Sequence, residues 1–128
     1  MKTRVAYASL TGNTERFVAK IAKLRPDWEI TKITRGLVVN EPYHLIIYTI
    51  GNGVVPRPVQ EFLSKNSKRM LSVSSGGNMN YGPNFAIAAT YISQKYNVPS
   101  LLRFEQAGQD SDVDFIIKRI EEVNENVS

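Results

Sequence analysis

Ser9-Leu10-Thr11-Gly12-Asn13-Thr14 constrains this chain more than any other stretch. It is a hydroxyl-rich turn set directly between an apolar strand-like run, Val5-Ala6-Tyr7-Ala8, and an amphipathic helix-like run from Thr14 to Leu24. A helix begins with backbone N–H groups that have no partner inside it, and its macrodipole makes that end partly positive. A loop in this position suits an anion. Ser9, Thr11 and Thr14 add hydroxyl donors and Asn13 an amide, while Gly12 lets the backbone turn tightly and approach a ligand closely. The loop has no lysine and matches neither G-x-x-x-x-G-K-[ST] nor G-x-G-x-x-G, so it fits one terminal phosphate held by neutral donors. The competing reading is a simple helix cap by Asn13 or Thr14, and the surrounding chain has to decide between them.

That context is an alternation. In the first helix-like run Phe17, Val18, Ile21, Ala22 and Leu24 recur at helical spacing, and Arg25-Pro26 ends it, because the residue before a proline is pushed out of the α region. Trp28 to Ile33 is a weaker strand signal that suits an edge, and 36–42 reads as connection. His44 to Ile50 is the strongest strand, stopped by Gly51-Asn52-Gly53. A helix follows, with Pro56 or Pro58 in its first turn and Val59, Phe62 and Leu63 inward. Met70 to Ser74 is a further strand that runs out at Ser75-Gly76-Gly77-Asn78. Asn84 to Tyr96 then reads as a helix, Leu101 to Phe104 as a strand, and Val113 to Val123 as a helix with Phe115, Ile116, Ile120 and Val123 inward. Strands alternating with helices predict parallel βαβ units with right-handed crossovers. The expected fold class is α/β, a three-layer sandwich on about five parallel strands in the order 2-1-3-4-5, with residues 1–128 as one domain.

Composition narrows the chemistry. With no cysteine and one histidine, thiolate nucleophiles, disulfides and His-rich metal sites are excluded, so any redox activity falls to a bound cofactor. No apolar run approaches the ~20 residues of a membrane span, and no signal-peptide pattern is present, so a cytoplasmic protein without membrane attachment is expected. The net charge of +4 is unevenly distributed: residues 1–70 hold twelve Lys/Arg against five Asp/Glu, and the remainder four against seven. The cations are scattered singly rather than in an arginine-rich or aromatic-interleaved tract. A docking face for an acidic protein is therefore favoured over nucleic-acid binding. Arg57, Lys65, Lys68 and Arg69 are the candidate patch, against the commoner reading of solvated charge.

In a sheet of this order, ligands bind at the carboxyl ends of the strands, at the topological switch point. Three loops there are rich in Gly, Asn and Ser: 9–14, 51–55 and 75–82. Their convergence predicts a crevice for a planar, phosphate-bearing cofactor. Ser9-x-Thr11-Gly12-x-Thr14 resembles the flavodoxin phosphate-loop pattern. Tyr48 to Pro56, the stretch Ser75-Gly76-Gly77-Asn78-Met79-Asn80-Tyr81-Gly82-Pro83-Asn84-Phe85, and Phe104-Glu105-x-x-Gly108 together resemble the NrdI family, small flavodoxin-like FMN proteins that serve class Ib ribonucleotide reductases. The G-N-x-N-[aromatic]-G-x-x-F run at 77–85 is the most discriminating part. Tyr81, where related sequences often carry tryptophan, and Gln109, where threonine is common, depart from the pattern.

The resemblance implies a cofactor, FMN, bound by Ser9, Leu10, Thr11, Gly12, Asn13 and Thr14 at its phosphate. It implies Ile50, Gly51, Asn52 and Gly53 on one side of the ring, with Ser75, Gly76, Gly77, Asn78, Asn80, Tyr81 and Gly82 on the other. Gly51 or Gly53 is expected beside flavin N5, since glycine tolerates either peptide orientation. Tyr81 is expected near the ring with Met79 second, while Tyr91 and Tyr96 read as helix packing and His44 as structural or surface. No residue is expected to act as acid, base or nucleophile. The implied partners are the radical-bearing dimetal subunit of a class Ib reductase and an unidentified flavin reductase, with the chain monomeric when alone. In that role reduced flavin and O2 supply superoxide or peroxide, or the flavin supplies electrons, for a dimanganese-tyrosyl radical cofactor. The basic charge should disfavour an anionic reduced flavin less than an acidic surface would. The alternatives are a generic flavodoxin electron carrier, against which the basic charge speaks, and a receiver-type signalling module. The latter needs an acidic cluster where this chain has Ser9 and Thr11.

Overall fold

A computed structural model describes residues 2–127. Five strands, β1 (Arg4–Tyr7), β2 (Glu29–Lys32), β3 (Tyr43–Tyr48), β4 (Met70–Gly77) and β5 (Ser100–Glu105), form one parallel sheet in the order β2-β1-β3-β4-β5. The helices are α1 (Asn13–Leu24), α2 (Arg57–Asn66), α3 (Ala88–Tyr96) and α4 (Asp110–Val127). Strand side chains point alternately to the two faces, and the core divides accordingly. Val5, Ile46, Leu101 and Phe104 meet Phe17, Val18 and Ile21 of α1 and Val113, Ile116, Ile117 and Ile120 of α4. Ala6, Leu45, Ile47 and Val73 meet Val59, Phe62 and Leu63 of α2 and Ala88, Ala89 and Ile92 of α3. The Phe17 and Phe104 rings stack with centroids 4.0 Å apart and planes 14° from parallel, tying α1 to β5 across one face.

Several elements depart from the sequence reading. β4 continues through Ser75, Gly76 and Gly77, because these residues pair with Arg103, Phe104 and Glu105 of β5 and need no large side chains to do so. The third helix starts at Ala88 rather than Asn84. Asn84 instead closes a 3-10 turn, Met79–Asn84, in which Gly82 takes φ 56 and ψ −127 ahead of Pro83, and residues 85–87 form a further turn in which Ala86 at φ 50 breaks the helical path. Phe115, expected inward, is 48% exposed, because the buried stripe of α4 runs through Val113, Ile116, Ile117 and Ile120. Leu24, at the end of α1, is exposed as well, and so is Tyr91 on α3.

His44 is wholly buried. Its Nδ1 lies 2.7 Å from Ser72 Oγ and its Nε2 2.8 Å from Asn124 Oδ1, while Asn124 Nδ2 donates to Thr3 Oγ1 at 2.8 Å. With Asn124 Oδ1 accepting, Nε2 carries the proton and Nδ1 accepts from the Ser72 hydroxyl, which is the neutral imidazole. Burial pushes the His44 pKa below its ordinary value, and the Asn124 hydrogen bond offsets only part of that. The unfolded chain therefore binds this proton more readily than the folded one. The resulting stabilisation is complete above the ordinary histidine pKa of about 6.5 and is lost as pH falls from there toward the depressed folded value. Urea denaturation between about pH 7.5 and pH 5.5 should show stability declining on acidification, and His44→Gln should flatten that slope while lowering stability at neutral pH by about 2 kcal/mol.

Candidate functional site

At the carboxyl end of the sheet, the loops after β1, β3 and β4 enclose a cleft of about 290 Å³, lined by Leu10, Thr11, Asn13, Thr14, Tyr48, Thr49, Ile50, Gly51, Gly76, Gly77, Asn78, Tyr81 and Gln106. It straddles β1 and β3, where the strand order reverses. A larger concavity, about 780 Å³, lies between the β2–β3 connection and α2, lined by Ile33, Leu37, Phe62 and Lys65 among others, and no residue of the 9–14 loop reaches it. Unsatisfied donors, rather than size, mark the smaller cleft as the candidate site for an anion.

Those donors follow from how α1 starts. Gly12 is the N-cap, at φ 91 with no side chain of its own, so neither Asn13 nor Thr14 caps the helix. Ser9 does that work from outside the helix: its Oγ accepts from Gly12 N–H at 3.1 Å and Glu15 N–H at 3.3 Å, which closes the loop into a ring. The backbone amides of Thr11, Asn13 and Thr14 are left without an acceptor among the described residues. Arg16 donates to Asn13 Oδ1, placing a cation beside a loop that has no lysine. Glu15, in the first turn, is engaged by Lys32 Nζ at 3.3 Å and by the Tyr7 hydroxyl at 3.3 Å.

The second loop is a tight reversal. Ile50 N–H donates to Val54 O and Val54 N–H to Ile50 O, each at 2.9 Å, with Gly51 at φ 50 and Gly53 at φ 123. Gly51 faces open space, whereas a Cβ on Gly53 would stand 3.1 Å from Ile87 Cγ2. Ile50 and Gly51 line the cleft; Asn52 instead accepts from Asn84 Nδ2 at 3.0 Å. Tyr48 and Thr49 complete this wall, and burial raises the Tyr48 phenol pKa, keeping it a neutral hydroxyl.

The third wall is β4 and the turn after it. Ser75, expected at the ligand, is wholly buried: its hydroxyl donates to Ala86 O at 2.6 Å and accepts from Ala89 N–H at 2.9 Å. Gly76, Gly77, Asn78 and Tyr81 line the cleft, whereas Ser9, Gly12, Gly53, Asn80 and Gly82 shape its loops without lining it. Asn78 Oδ1 accepts from Asn80 N–H at 2.8 Å. Tyr48, Thr49 and Gln106 had no place in the sequence-derived set. For the first two the signal was their position at the end of the strongest strand; Gln106 follows β5 at φ 50, a conformation its residue type does not announce. Leu10 at 70% and Tyr81 at 42% exposure put apolar surface at the cleft mouth, with Ile50, Val54 and Met79 also exposed.

A phosphorylated planar ligand fits this arrangement: free amides for an anion at one end, and a slot between glycine-rich backbones beside an exposed aromatic at the other. The sequence profile of the NrdI flavodoxin-like family matches residues 5–118. The chain belongs to that family. It is 40% identical to Protein NrdI of Macrococcus caseolyticus (strain JCSC5402) over 127 residues, covering 94% of this chain and 91% of that one. In fold it is similar to a short-chain flavodoxin associated with a PDU bacterial microcompartment (TM-score 0.76, 16% identity, 100% and 99% of the two chains). It is also similar to oxidised Flavodoxin 2 from Bacillus cereus (TM-score 0.70, 19% identity, 98% and 99%). NrdI flavodoxin-like proteins are FMN flavoproteins linked to class Ib ribonucleotide reductase. No helix among the described residues is long and apolar enough to cross a membrane.

Close packing at the cleft wall leaves no room for a side chain at Gly77. A Cβ on Gly77 would stand 2.6 Å from Ala86 N and 2.8 Å from Ala86 Cα, both backbone atoms that cannot swing aside. Gly36, at φ 80, has nothing within 4 Å. Gly77→Ala should cost about 2–3 kcal/mol and Gly36→Ala only about 1 kcal/mol of local strain, read from urea denaturation midpoints; equal costs would contradict the packing described.

Proposed function

We propose that this chain holds FMN noncovalently in the cleft at the β1–β3 switch point and thereby supports assembly of the dimanganese-tyrosyl radical cofactor in the radical-bearing subunit of a class Ib ribonucleotide reductase. The observation that carries the reading is the pairing, in one cleft, of the free Thr11, Asn13 and Thr14 amides with the slot between Ile50–Gly51 and Gly76–Tyr81. When bound, the flavin would supply the redox chemistry, as electrons or as superoxide or peroxide formed from O2, which no side chain here can supply.

The chain's own residues bind and orient. Thr11, Asn13 and Thr14 direct their amides at the phosphate, and Ser9 fixes the loop that aims them. Gly76 and Gly77 bring strand backbone to the cleft wall, the space of their missing side chains being taken by the Phe104 ring and the Ala86 backbone. Gly51, at φ 50 and unobstructed, is the peptide best able to change orientation beside the ring. The exposed apolar rim of Leu10, Ile50, Val54, Met79 and Tyr81 is the natural contact for the reductase subunit. The reading also assigns the chain to the cytoplasm, where a flavin reductase would recharge it.

The purified protein should retain FMN through gel filtration and activate a manganese-loaded class Ib radical subunit under O2 once reduced. Retention without activation would favour plain electron carriage; no retention would sink the reading. Ser9→Ala should weaken FMN binding about five- to tenfold while leaving the weaker binding of riboflavin, which has no phosphate, nearly unchanged. Isothermal titration with the two flavins checks this.

A further inference from the structure

Arg103 and Glu105 lie two residues apart on β5 and therefore share one face, and the register with β4 sets Arg103 beside Ser75 and Glu105 beside Gly77. All four residues on that patch act on the segment that follows β4. Ser75 bonds Ala86 O and Ala89 N–H, and the missing side chain of Gly77 lets the Ala86 backbone close in. Glu105 Oε2 accepts from Met79 N–H at 2.8 Å. Arg103 donates from Nε to Phe85 O at 2.8 Å and from Nη2 to Pro83 O at 3.0 Å, with its guanidinium 5.6 Å from the Phe85 ring centre.

The charges match the turn they grip. The carboxylate meets the amide end of the Met79–Asn84 turn and the guanidinium meets its carbonyl end, opposite to the partial charge at each. The turn needs this support: it buries none of its own residues, contains Pro83, and holds Gly82 at φ 56, ψ −127. Tyr81 sits at its middle and lines the cleft, whereas neither Arg103 nor Glu105 does.

We propose that Arg103 and Glu105 are positioning residues: without touching the ligand, they brace the Asn78–Phe85 segment so that Tyr81 is held over the ring end of the cleft. The proposal rests on the FMN reading of that cleft and adds that affinity for the ring is set from β5. Side chains on β5, three strands away from β1 and its phosphate loop, would thus tune flavin binding independently of that loop.

The test uses the full chain, free FMN and riboflavin, with Glu105→Ala, Glu105→Gln, Arg103→Lys and Ser9→Ala compared with the native protein. Glu105→Ala should weaken binding of both flavins about tenfold and change the visible circular dichroism of the bound flavin. In flavin-free protein it should speed amide hydrogen exchange at Met79. Glu105→Gln, which keeps an acceptor oxygen, should recover most of the affinity, and Arg103→Lys, which keeps the charge but not the fork, should not. Ser9→Ala should affect FMN alone and leave exchange at 79–81 as in the native chain. A native chain that retains FMN beside a Glu105→Ala variant with native affinity and native exchange overturns the brace alone. A native chain that binds no flavin overturns the cofactor reading and this proposal with it.

Discussion

Leu45, Ile46 and Ile47 of β3 are all fully buried, alternately beneath the α2–α3 layer and the α1–α4 layer. A strand apolar on both faces has to be covered on both, and parallel strands accept that cover only through helical crossovers. β1, β3, β4 and β5 each deliver their carboxyl end to a connection leading into a helix, while β2 runs through residues 33–42 directly into β3, so the loops that open helices collect at one end of the sheet. The site is a consequence of that burial: the loops after β1, β3 and β4 meet because the strands beneath them pair in the order β1-β3-β4.

Within that frame, each wall of the cleft uses a different device to leave backbone groups free for a ligand. The 9–14 loop spends Ser9 Oγ on the Gly12 amide and on that of Glu15 just beyond it, and leaves the Thr11, Asn13 and Thr14 amides unpaired among the described residues. The 50–54 reversal satisfies itself with paired Ile50–Val54 bonds, so Gly51 is unencumbered. The 78–85 turn has the least internal support and is held from β5 and β4, by Arg103 and Glu105 at its ends and by Ser75 and Gly77 beneath the Ala86 backbone that follows it. Charge is used sparingly. Glu15 is engaged by Lys32 and Tyr7, and Glu105 by the Met79 amide, so no carboxylate lines the cleft itself.

The parallel fold, its strand order and the three converging loops were legible in the sequence, because the signals are local: apolar runs, helical spacing and glycine-rich stops. The site was legible in part. Gly51, Gly76, Gly77, Asn78 and Tyr81 stand at the cleft, yet Ser75 in the same motif is buried against Ala86 and Ala89, since the strand continues through Gly77 and leaves Ser75 back from its carboxyl end. Gln106 escaped notice because its place depends on pairing with Gly77 across the sheet, at 3.0 Å from N–H to carbonyl. Phe115 was misplaced because several apolar stripes fit α4, and only contact with the sheet selects one.

The sequence by itself determined the periodicities, the presence of a helix directly behind the 9–14 loop and the chemistry available, namely hydroxyls, amides and glycines with no thiol and no histidine cluster. These are properties of neighbouring residues, and neighbouring residues carry them. Tertiary structure alone decided that the Ser75 hydroxyl serves the scaffold, where the 79–84 turn stops and α3 begins, and that Arg103 and Glu105 grip that turn. Those outcomes hang on contacts between segments 11 to 28 residues apart, whose geometry is set by strand register and by the absence of a side chain at Gly77.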